Sequence, residues 1–114
     1  MENIMENNGR VVNLTPHDVV IVRYGKQTTY PSQGVARVSE KYKSLGFFDG
    51  IEQFDVEYGE IVGLPEPTEG VLYVVSGRLK DAAKKQGRTD TRSPAETVRD
   101  PETGHVLYTL GLLV

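Results

Sequence analysis

The 114-residue sequence has no cysteine, no tryptophan and only two histidines. The missing thiols exclude disulfide staples, thiolate zinc sites and thiol nucleophiles. Small secreted domains usually need such staples, so a reducing cytoplasm is the expected setting. No stretch approaches the roughly 20 apolar residues of a membrane helix. Residues 1–9 have no basic start and no apolar segment, so no signal peptide is expected there. They read as a flexible tail ahead of a single β-rich domain over 10–114. Apolar residues make up 38% of the chain and aromatics 8%. That is a lean core for a monomer that buries about two-thirds of its unfolded surface, so a homo-oligomer is expected.

The motifs of several enzyme classes are missing too. Serine nucleophiles need a histidine and an orienting acid, and only His17 and His105 are available. There is no Gly-x-Ser-x-Gly elbow and no phosphate-binding Gly-x-x-x-x-Gly-Lys loop. No ligand spacing points to a metal, and no cofactor is expected. Acids within 49–69 could supply a carboxylate pair for glycoside or phosphodiester chemistry, but their spacing fits a solvated face equally well. The chain reads as a binding protein, not an enzyme.

What is present is mostly strand. Residues 11–14 and 19–24 are short β-branched runs separated by Thr15-Pro16-His17-Asp18, a turn composition. They are expected to be two strands joined by a tight connection. After a turn at 30–34, residues 35–39 alternate as a strand with one wet face. Asp49-Gly50, between 45–48 and 51–58, is the strongest hairpin signal, because a type I′ turn needs positive φ at both central residues. Residues 60–62 form another short run, and 64–67, with two prolines, is an exposed extended crossing. Residues 71–75 are the most apolar stretch and read as a strand buried on both faces. A helix is expected over about 77–86, capped by Ser76, stopped by Gly87 and striped by Leu79, Ala82 and Ala83. Residues 96–99 and 105–110 suggest a second hairpin. The expected fold is α+β: a mostly antiparallel β-sheet of about seven short strands with one helix packed on it.

Charge is unevenly placed. From Asp49 to Glu69 there are seven acids and no base; from Arg78 to Arg99 there are seven bases and three acids. Two solvated faces, blocks that face each other within or between subunits, and an anion site at the basic block are all consistent with this. The junction at Ser76-Gly77 adds weight to the last. A helix start presents free N–H groups and a positive dipole end, and Gly77 lets a ligand approach the backbone. Arg88, Asp90, Arg92 and Arg99 follow. Arginine suits bidentate capture of phosphate or carboxylate, although Arg88 with Asp90, and Arg99 with Asp100, could equally form local pairs. Tyr73, Phe47 and Phe48 are candidate stacking surfaces or core residues. Asn13, Thr15 and Asp18 can satisfy turn backbone, and His17 can serve the loop or reach a ligand. An acidic chain with no aromatic on its basic helix suits a small diffusible anion better than a nucleic acid polymer.

Asn13-Leu14-Thr15-Pro16-His17-Asp18, Pro31-Ser32-Gln33-Gly34, Gly63-Leu64-Pro65-Glu66-Pro67, Tyr73-Val74-Val75-Ser76, Arg88-Thr89-Asp90 and Val98-Arg99-Asp100 resemble a family of small proteins of tailed bacteriophages and prophages. The resemblance extends from about Val11 to Val114. The order of elements is also similar to the first-described phage Thoeris anti-defence family, which sequesters cyclic ADP-ribose signals, and in some members cyclic oligonucleotides, without cleaving them. That resemblance implies an oligomeric sponge in the host cell cytoplasm. By that resemblance Tyr73 and Arg99 would hold the base; His17, Ser76, Gly77, Arg88 and Asp90, singled out above from the residues themselves, complete the expected ligand-binding set. The alternative is a phage protein that inhibits a host protein through its acidic surface.

Overall fold

A parallel strand–helix–strand unit organises the protein, whose computed structural model describes residues 9–114. The strands, in chain order, are β1 (Arg10–Asn13), β2 (Val19–Arg23), β3 (Lys26–Tyr30), β4 (Arg37–Phe48), β5 (Ile51–Val62) and β6 (Val71–Val74). Helix α1 (Gly77–Lys85), β7 (Thr91–Arg99) and β8 (Val106–Leu113) complete the chain. The expected tail, apart from Gly9, lies outside the described residues. The class is α+β, with a single short helix among the described residues.

Six strands form one sheet in the order β1-β6-β7-β8-β2-β3. It is a mixed sheet: β1–β6, β6–β7 and β2–β8 pair parallel, while β7–β8 and β2–β3 pair antiparallel. Parallel neighbours need a long crossover, and α1 supplies it between β6 and β7. Ser76 accepts a hydrogen bond from the Leu79 N–H, and Leu79, Ala82 and Ala83 are buried. Gly87 (φ 91°) ends the helix, letting the Arg88 N–H reach the Ala83 carbonyl at 2.9 Å. The helix thus runs as its apolar stripe and caps dictate, one residue shorter than expected because Gln86 is the C-cap.

Two expectations need correction. β1 and β2 are not partners: β1 sits beside β6, and β2 lies at the far side of the sheet between β8 and β3. The five residues between them, 14–18, do not close a hairpin. Instead the Asn13 side chain holds their backbone and sends the chain across the sheet. Nor are all the strands short: of the eight among the described residues, two are 12 residues long. The run expected at 35–39 starts only at Arg37 and joins 45–48 in the single strand β4, and 51–58 and 60–62 belong to β5, because backbone pairing continues through irregularities near Ser39 and Leu45. β3 is polar and turns at Tyr24-Gly25 (φ 52° and 77°), where tyrosine replaces the usual Asn or Gly.

Among the described residues β4 and β5 pair only with each other, around Asp49-Gly50 with φ 51° and 77°. They form an arm whose base, at Val38 and Ile61, packs on the core made by Val12, Leu14, Ala36, Tyr73, Val75 and Leu79. The arm makes the molecule long, 55 × 39 × 28 Å with a radius of gyration of 17.0 Å, against about 13 Å for a compact chain of this length. No helix among the described residues is long and apolar enough to cross a membrane.

Candidate functional site

The carboxyl end of β6, where the crossover leaves the sheet, is where ligands of open sheets with parallel strands commonly sit. A hollow of about 950 Å³ opens there. Its walls come from the turn after β1 (Thr15, His17, Asp18), the end of β6 with its cap (Val75, Ser76), and β7 with β8 and the loop between them (Thr97, Arg99, His105, Tyr108).

Asn13 positions the first wall. It is fully buried, and its Nδ2 donates to the carbonyls of His17 and Tyr30, both at 2.8 Å. Its Oδ1 accepts from the Thr15 N–H at 2.9 Å and the Thr15 hydroxyl at 2.7 Å. Three of these four bonds go to the turn and the fourth ties it to the end of β3, so Thr15, His17 and Asp18 are held at the rim. The opposite wall is set by the β7–β8 hairpin. Asp100 accepts from the Glu102 N–H (2.8 Å), and its own N–H donates to the His105 carbonyl (2.8 Å). Arg99 Nη1 donates to the Gly104 carbonyl at 3.0 Å. No ion pair forms between Arg99 and Asp100, so the rest of the exposed Arg99 guanidinium is available to an acceptor in the hollow.

Of the residues singled out from sequence, His17, Ser76 and Arg99 therefore come together. Gly77 opens the helix beside them but is not in the wall. Tyr73, Arg88 and Asp90 are elsewhere. The Tyr73 ring is 5% exposed and belongs to the core, its hydroxyl 3.5 Å from the Glu66 carbonyl, so it has no free face for stacking. Arg88 forms the local pair: Nε and Nη2 donate to the two Asp90 carboxylate oxygens at 2.9 Å, and Nη2 also donates to the Pro65 carbonyl. That paired hydrogen bond holds the Asp90 carboxyl below its ordinary pKa and the Arg88 guanidinium above its own. Together Arg88 and Asp90 pin the proline crossing to the sheet. Arg92 caps loop carbonyls of Thr89 and Thr91. Phe47 and Phe48 lie at the arm, not at the hollow.

Sequence reasoning did not select His105, Thr97 or Tyr108 for the site. The tyrosine lining the hollow is Tyr108, half-buried on β8 opposite Val98. The register of the second hairpin was the available clue, since it places 105–108 beside Arg99. The acidic block is spread along β5 and the crossing, where Asp55 and Glu57 face Lys43 and Lys41 across the arm. Among the described residues no three His, Asp or Glu side chains gather as a metal site. The arrangement offers a guanidinium, two imidazoles, hydroxyls and one ring around an apolar floor, with Asp18 as the lone acid. No family model, curated protein or solved structure matches the chain.

Proposed function

We propose that the protein binds a small anionic nucleotide signal in this hollow and holds it without cleaving it. The observation that carries the reading is the convergence of Arg99, Ser76, His17 and His105 on one cavity at the start of the helix. A cavity of 300–1,000 Å³ suits a drug-sized ligand, and its mix of apolar walls with a few polar groups suits a base and its phosphates. Arg99 takes phosphate oxygens, Tyr108 supplies the stacking face in place of Tyr73, and His17, His105 and Ser76 reach ribose or phosphate. Cyclic ADP-ribose and cyclic oligonucleotides are the class implied by the likeness to phage anti-defence sponges, and the host cytoplasm is where such a sponge acts.

Isothermal titration with cyclic ADP-ribose isomers and with cyclic di- and trinucleotides tests this. At least one should bind, be recovered with unchanged mass after heating, and bind about ten- to a hundredfold more weakly to Arg99→Ala, the range for a charged hydrogen bond. No heat with any of them, or a product of altered mass, overturns the reading.

A further inference from the structure

One acid lines the hollow, and nothing in the fold satisfies it. Asp18 stands in the wall across from Arg99. Its exposed side chain makes no hydrogen bond or ion pair with any described residue. A carboxylate and a guanidinium thus line the same cavity without meeting.

Other acceptors around the hollow are already engaged. The Thr15 carbonyl accepts from the Ser32 hydroxyl at 2.6 Å, and the His17 carbonyl accepts from Asn13 Nδ2 and from the Thr15 hydroxyl. Across the hollow, the Gly104 carbonyl is taken by Arg99 and the His105 carbonyl by the Asp100 N–H. The other polar side chains of the lining are a guanidinium, imidazoles and hydroxyls, all able to donate; a carboxylate only accepts. The backbone on both sides of Asp18 is fixed. Asn13 holds the carbonyl of the residue before it, and Val19 after it pairs with Tyr30. An acceptor placed in advance and left unpaired needs little reordering to take a ligand.

For a nucleotide this wall sets both orientation and base. A phosphate beside Asp18 would meet a like charge, so the phosphates belong at Arg99 and the base at Asp18. The base must then donate. Among the common bases only guanine carries two adjacent donors on its Watson–Crick edge, N1–H and the N2 amine, which match the two carboxylate oxygens. Adenine and cytosine set an acceptor nitrogen beside their amine, and uracil flanks one N–H with two carbonyls, so each turns a lone pair towards the carboxylate.

We propose that Asp18 selects guanine: the ligand is a guanine nucleotide with its base edge on Asp18 and its phosphates on Arg99. The inference rests on nucleotide binding in the hollow. Within that class it favours guanine-bearing cyclic oligonucleotides over cyclic ADP-ribose, whose only base is adenine.

Isothermal titration of the full chain with GMP, IMP and AMP, and with cyclic di-GMP and cyclic di-AMP, reads the preference. Guanine should bind about ten- to a hundredfold more tightly than adenine, the range for one bidentate base contact. IMP, which keeps N1–H and lacks the amine, should fall between. D18N turns one acceptor into a donor, and an amide matches the amine and N1 of adenine. The variant should therefore bind the adenine ligand at least as well as the guanine one. Because the Asp18 side chain has no partner in the fold, D18N should unfold at the parent's temperature, which separates lost recognition from lost structure. Nucleotides that bind without a guanine preference, or with a preference unchanged in D18N, overturn the proposal and leave nucleotide binding standing. No binding of any nucleotide overturns both.

Discussion

Replacing Asn13 with alanine is the most direct probe of how the site is held. Asn13 makes four hydrogen bonds, two through Nδ2 to the His17 and Tyr30 carbonyls and two through Oδ1 to Thr15. The His17 carbonyl keeps its bond from the Thr15 hydroxyl at 2.9 Å, and half-buried Thr15 can turn to water. The Tyr30 carbonyl and the void at a fully buried position remain as the main losses. With a net value near 1 kcal/mol per bond and somewhat more for an orphaned buried group, N13A should cost about 2–4 kcal/mol. That is a large part of the 5–15 kcal/mol that holds a domain together. N13D tests the direction of the bonds. It places a carboxylate oxygen against two carbonyls, so it should be less stable than N13A at neutral pH and recover as acid protonates it. Urea unfolding followed by circular dichroism gives both numbers, provided the slope is unchanged. A cost for N13A under about 0.5 kcal/mol, or an N13D variant with no pH dependence of its own, would refute the view that this amide organises the turn. Because the turn carries His17 and Thr15, N13A should also weaken any ligand found for the hollow.

Asp90 provides a pH signature. Arg88 lowers its pKa in the folded chain, so the pair stabilises the fold above the unfolded carboxylate range and is lost as pH falls through the lower, folded value. D90N should cost about 1–2 kcal/mol at pH 7 and flatten the acid limb of the stability–pH curve, measured by thermal unfolding. Gly63 has φ 88°, and a Cβ there would lie 2.8 Å from the Val35 carbonyl. G63A should therefore cost about 2 kcal/mol or more in the same assay. Gly77 is unstrained, with nothing near its would-be Cβ, so G77A should stabilise the helix by up to about 1 kcal/mol. Loss of ligand affinity in that stabilised variant would place the ligand against this backbone. Ser76→Ala should lower stability by about 1 kcal/mol through loss of the cap.

Much of the local structure was legible in the residues. Ser76, the Leu79-Ala82-Ala83 stripe and Gly87 mark one helix almost to the residue, and Asp49-Gly50 marks a turn whose positive φ values few other pairs adopt. These signals act within a few residues, so pattern alone carries them. Strand partners were not legible. Nothing near 11–14 says that β1 will pair with β6 some sixty residues on, and residues 91–95 lack an apolar alternation although they complete the parallel unit. Short strands pair with whichever edge the whole sheet leaves open.

The candidate site divides in the same way. Sequence by itself determined the helix start at Ser76, the thiol-free composition and the supply of arginines, because these depend on residue type and local spacing. Tertiary structure alone decided which of those arginines remains available. Arg88 meets Asp90 and Pro65, while Arg99 meets a single carbonyl beside His17 and Ser76. It also decided that Tyr73 is core and that half-buried Tyr108 lines the hollow. Burial and partner choice are properties of elements brought together from distant parts of the chain, and no window along it contains them.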